Sequence, residues 1–156
     1  MTMTARKKKS KRRFDASFGE KLPDPLIFFL DRAIGKRFVS EALSSPDLNI
    51  KVEVLDDYFE PNTTDEEWLK SAGKKGWIVF TKDKKIRYRA TVVEIIKKGK
   101  IRMFILSRGN LSGHEMARII INALPVIKKS ILKHHPPFIV SITRSANLLP
   151  IELSNV

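Results

Sequence analysis

The strongest constraint on this chain is a series of short, uninterrupted apolar runs. Leu26 to Leu30 (LIFFL), Trp77 to Phe80 (WIVF), Met103 to Leu106 (MFIL) and Phe138 to Ile142 (FIVSI) recur along the sequence. Runs of this length fit strands covered on both faces, as in a parallel sheet. A fifth stretch, Lys51 to Leu55 (KVEVL), alternates instead and reads as a strand at or near an edge. The stretches between the runs have helical character. Lys36 to Leu43 is a short helix closed by Ser44-Ser45-Pro46. Thr64-Asp65-Glu66-Glu67 is a capping box opening a helix to about Lys74, with Gly76 as its stop. Thr91 to Lys98 is a third helix, stopped by Gly99. Ser112-Gly113-His114-Glu115 is a second capping box, and the helix behind it runs to about Lys133 with Pro125 predicting a kink.

The resulting β-α-β-α-β-α-β-α-β order predicts an α/β domain over residues 24–150. It has a mainly parallel central sheet, right-handed crossovers and helices on both faces. Residues beyond Leu148 either add an edge strand or trail off. No apolar run reaches the ~18 residues of a membrane span, and no apolar segment follows the basic start as in a secretory signal. The chain has no cysteine, which excludes disulfides, thiolate zinc sites and cysteine nucleophiles and suits a reducing cytoplasm.

The net charge of +13 needs a location. Residues 6–13 (RKKKSKRR) hold seven bases and no acid, leaving 23 bases against 17 acids in residues 14–156. Such blocks repel themselves and bury no apolar surface, so residues 1–20 read as a disordered tail. Its function is either plain solubility or a salt-sensitive attraction to phosphates.

In open α/β sheets the binding crevice lies beyond the carboxyl ends of the strands. The residues following the runs are Asp31; Asp56 and Asp57; Thr81, Lys82 and Asp83; and Ser107, Arg108 and Asn110. Asp65 and Glu66 open the second helix. Acids thus recur along one edge of a basic chain. Gathered carboxylates repel unless a cation compensates, and oxygen-only donors favour a hard cation, Mg²⁺ or Mn²⁺. Such an ion can activate water and neutralise a phosphate in phosphodiester cleavage. Lys82, Lys84, Lys85, Arg87 and Arg89 surround Asp83 with positive charge suited to a nucleic-acid backbone.

Each acid also has a plain structural reading. Asp31 can cap the following helix, Asp65 and Glu66 can complement a helix dipole, Asp83 can be a turn residue, and Asp56 and Asp57 can be loop acids. The histidines, His114, His134 and His135, read as surface residues near helix ends. Gly109 to Gly113 could cradle a phosphate at a helix N-terminus. A P-loop, a GxGxxG fingerprint and a nucleophile elbow are all missing. A receiver-like phosphoacceptor ranks last, because Asp31 is followed by Arg32 and the last strand by Thr143-Arg144.

Phe28-Phe29-Leu30-Asp31-Arg32, Thr64 to Leu69, Gly76 to Lys84 and Leu106 to Leu111 together resemble a PIN-like domain of the VapC-like branch, over roughly residues 26–145. The resemblance implies a three-layer α/β/α, Rossmann-like fold and Mg²⁺- or Mn²⁺-dependent RNA cleavage. It also implies a toxin neutralised by a cognate antitoxin, often as a homodimer. Asp31 matches the acid ending the first strand, Asp65 the acid opening the helix before WIVF, and Asp83 the acid of the Thr-x-Asp motif. PIN domains add a Glu on an early helix. Glu41 is the helical candidate, its flanks depart from the pattern, and Glu66 or Asp57 could substitute. The expected nuclease therefore uses Asp31, Asp65 and Asp83 as metal ligands, with Glu66 as a further candidate. Lys82, Lys84, Arg108 and Asn110 would hold RNA phosphates. The alternative is a PIN-like module that binds nucleic acid without cutting it.

Overall fold

The structure, a computed structural model, describes residues 22–35, 37–107 and 109–153. The expected basic tail and Arg108 lie outside these residues. Among the described residues the sheet has six strands: β1 (Leu26–Leu30), β2 (Ile50–Val54), β3 (Ile78–Thr81), β4 (Arg102–Leu106), β5 (Phe138–Ile142) and β6 (Leu148–Ile151). The helices are α1 (Phe38–Leu43), α2 (Asp65–Lys75), α3 (Ala90–Gly99) and α4 (Gly113–Lys133). Spatial order is β2-β1-β3-β4-β5-β6, with the first five strands parallel and β6 antiparallel to β5. The mainly parallel α/β architecture is as expected, the alternating strand lies at an edge, and the residues from Leu148 do add a strand.

Side-chain alternation splits each apolar run between two cores. Phe28, Leu30, Phe80 and Phe104 face one layer, where Ile119, Ile120 and Ile127 of α4 cover them. Phe29, Val79, Met103 and Ile105 face the other, against Trp68 and Leu69 of α2 and Val92 and Ile96 of α3. β3 and β4 are buried at every position, because both of their faces are covered. Each fully buried Phe contributes roughly 1.5–3 kcal/mol of burial free energy, so these runs hold the three layers together.

The helix boundaries follow their local chemistry. Both capping boxes form, with Thr64 and Glu67 on α2 and Ser112 and Glu115 on α4. Gly76 ends α2 in the left-handed region at φ 71°, where a Cβ would be strained. The amide of Trp77 then bonds to Ala72 O, so Trp77 closes the helix and β3 begins one residue later than the apolar run. Leu55 likewise leaves β2 for a single turn of 3-10 helix over Leu55–Asp57. Helix α4 continues through Pro125 to Lys133.

Candidate functional site at the β1/β3 edge

Strand order reverses between β1 and β3. β1 connects outward to β2, while β3 leads on to β4, so the crevice opens beyond the carboxyl ends of these two central strands. Asp31 follows β1, and its amide donates to Phe80 O of β3 at 2.9 Å. Its Oδ2 accepts the Thr81 hydroxyl at 2.6 Å. The same Thr81 oxygen accepts the Asp83 amide at 3.1 Å. Thr81 is fully buried, so one hydroxyl inside the fold ties Asp31 to the loop that carries Asp83. The sequence contains its signal, the strand-ending Thr-x-Asp, but gives no hint of this bridging role.

Asp65 reaches the same edge from the opposite direction. Crossover helices run back against the strands, so the N-terminus of α2 meets the carboxyl ends of β1 and β3. Trp68 packs on Phe29 at 5.6 Å between ring centroids and anchors that end of the helix. Its indole Nε1 donates to Asp65 Oδ1 at 3.0 Å. Burial pushes the Asp31 carboxyl above the ordinary carboxylate range. Hydrogen bonds from Thr81 and the Arg32 amide oppose that shift, and the negative charges of Asp65 and Asp83 add to it. The three acids thus share one electrostatic neighbourhood.

Each acid also plays the local part its position suggests. Asp31 caps the 3-10 turn Arg32–Ile34 by accepting the Arg32 amide at 2.5 Å. Asp83 Oδ1 accepts the Lys85 amide at 3.0 Å, an Asx-type turn. Asp65 Oδ2 accepts from Arg89 Nη1 at 2.6 Å. The donors fit a hard cation in kind, being carboxylate oxygens with a hydroxyl behind them. In their present positions, however, no three His, Asp or Glu side chains among the described residues close around a single ion.

The other expected residues spread outward from this edge. Glu66 accepts from Arg89 Nη2, at 3.3 Å to each oxygen, and from the Thr91 hydroxyl at 2.6 Å. These contacts, led by the Thr91 hydrogen bond, lower its pKa. Asp56 pairs with Arg32 Nε at 2.6 Å, and Asp57 lies exposed beside it in the turn. Glu41 is exposed on α1. Lys82 is partly buried and Lys84 exposed, on either side of Asp83; Asn110 is exposed before α4. His114 is exposed, with its ring 4.0 Å from that of Phe38.

The glycine loop before α4 has a packing role of its own. A Cβ on Gly113 would stand 2.3 Å from the Phe38 ring. Gly113 leaves room for the aromatic ring that α1 presses against it. Arg89 is the residue whose importance the sequence hid: it is one of five cations around Asp83, and it is the one bound to two of the acids.

No curated protein and no solved structure matches the chain. A family model described as a PIN like domain matches residues 26–108, from the start of β1 through β4 and just beyond. That stretch is more than half of the chain and contains Asp31, Asp65, Thr81 and Asp83, so the chain belongs to the PIN-like domain family, a nuclease superfamily.

Proposed function

We propose that this protein is a divalent-metal-dependent endoribonuclease working at the β1/β3 edge, and the toxin of a toxin–antitoxin pair. The observation that carries the reading is the buried Thr81 hydroxyl at the sheet's switch point, which joins Asp31 to the loop bearing Asp83. Asp31, Asp65 and Asp83 would hold Mg²⁺ or Mn²⁺. When bound, such an ion supplies an activated water and neutralises charge on the phosphate. Thr81 fixes the Asp31 carboxylate and the Asp83 backbone relative to each other. Lys82 and Lys84 flank Asp83 and draw the RNA backbone to the edge; Arg108 and Asn110 would extend that contact. A protein antitoxin covering this edge and a homodimer belong to the same reading.

RNA cleavage with Mn²⁺ tests it. Cleavage should stop with EDTA, return with excess Mn²⁺, and fall by roughly 10²-fold or more in Asp83→Asn. Cutting that ignores both EDTA and Asp83→Asn would sink the metal mechanism. Growth arrest on induction, relieved by the product of a neighbouring reading frame, tests the toxin assignment. A non-catalytic nucleic-acid-binding module is the second reading. It is favoured by the lack of a closed three-carboxylate group among the described residues, and RNA binding without any cutting would support it.

A further inference from the structure

The acidic edge already contains a cation. Arg89 lies immediately before α3, on extended backbone at φ −91° and ψ 114°, with no side-chain cap of its own to make. That position projects it from the β3–α3 connection toward the N-terminus of α2. Its Nη1 donates to Asp65 Oδ2 at 2.6 Å, and its Nη2 is 3.3 Å from both oxygens of Glu66. Glu66 is itself oriented by the Thr91 hydroxyl at 2.6 Å, so the β3–α3 connection supplies the guanidinium and α3 a clamp on its second anchor. The hydrogen bond to Asp65 and the charges of Asp65, Glu66 and Asp83 all favour the charged guanidinium.

A guanidinium cannot give up its charge at any ordinary pH. It offsets the mutual repulsion of the carboxylates, and with Arg89 on Oδ2 and the Trp68 indole on Oδ1 both Asp65 oxygens already accept a donor. We propose that Arg89 is the resident counter-cation of this edge, holding Asp65 in the metal-free protein and releasing it for a divalent cation to bind. In this scheme Glu66 is the anchor that retains Arg89, and not a metal ligand. The inference rests on the metal-dependent reading above and deepens it.

Mn²⁺ binding to the full chain, followed by the electron paramagnetic resonance signal of free Mn²⁺, tests the scheme without any need for RNA. Arg89→Gln should bind Mn²⁺ about fivefold more tightly than the unaltered chain, the scale of one partly exposed ion pair together with the repulsion it removes. Arg89→Lys keeps the charge and should stay within about twofold. Glu66→Gln loosens the hold on Arg89 and should tighten Mn²⁺ binding, whereas a ligand role for Glu66 would make the same variant weaken it. Thermal melting followed by circular dichroism checks that each variant is folded. Unchanged or weaker binding in both Arg89→Gln and Glu66→Gln, with Mn²⁺ still bound by the unaltered chain and lost in Asp31→Asn, overturns the counter-cation role and leaves the metal reading intact. No Mn²⁺ binding by any form overturns both.

Discussion

Two regions of the molecule use charge in opposite ways. The β1/β3 edge concentrates carboxylates and holds them with specific donors: the Thr81 hydroxyl, the Trp68 indole, backbone amides and Arg89. At the far side, residues 116–151, covering most of α4 together with β5 and β6, contain five Lys and Arg and no acid. There a cleft of about 550 Å³ is lined by Val126, Phe138, Leu148 and Pro150, with Lys129 and Lys133 at its margin. Lys128, beside them, is committed to structure, donating to Leu48 O at 2.7 Å. The family match ends at residue 108 and so covers the acidic region alone. The difference separates two tasks: positioned carboxylates require a fixed geometry, while a diffuse basic surface requires only composition and acts over about a Debye length.

Thr81→Val would sharpen that contrast most. It removes the hydroxyl that spans Asp31 and Asp83 and should lower Mn²⁺ affinity by roughly 10- to 100-fold, the scale for residues that orient metal ligands. The partly buried Asp83 amide would also lose its acceptor, costing about 1 kcal/mol in chemical denaturation. Gly113→Ala tests the packing between α1 and α4 that lies between the two regions. Its Cβ would collide with Phe38, so stability should fall by about 1–3 kcal/mol while Mn²⁺ affinity holds.

Asp31→Asn probes the acidic edge by pH. A carboxyl whose pKa is raised on folding binds more protons in the native state, so its contribution to stability falls as pH rises from the ordinary value of 3.8 through the folded value. In EDTA, the melting temperature of Asp31→Asn relative to the unaltered chain should therefore increase on going from pH 3 to pH 7. A flat difference would mean that Asp31 feels no net penalty for its charge. The smallest effect belongs to the basic half. Replacing Lys129 and Lys133 together by Gln should reduce the salt slope of RNA binding by about one to two and leave single-turnover cleavage unchanged. A loss of the chemical step would join the two regions into one site and break the comparison.

Much of the fold was legible because its signals are local. Continuous apolar runs, two capping boxes and Gly76 depend on neighbours within a few residues, and they placed the strands and helices to within about two positions. Of the candidate site, Asp31, Asp65 and Asp83 could be named from their places at strand ends and a helix start. Glu66 and Arg89 could be named as charges, but their pairing could not, because it joins α2 to the β3–α3 connection across more than twenty residues.

The amino-acid sequence by itself determined the alternating α/β order, the edge on which acids collect and the acid-free character of residues 116–151, since each follows from pattern or composition. The tertiary structure alone decided that a buried Thr81 hydroxyl binds Asp31 to the Asp83 loop, that Gly113 is small to admit Phe38, and that Arg89 takes the Asp65 oxygen. Those outcomes depend on distances of a few ångströms between segments remote in sequence, and such distances exist only once the sheet has set its strand order and the helices have packed on it.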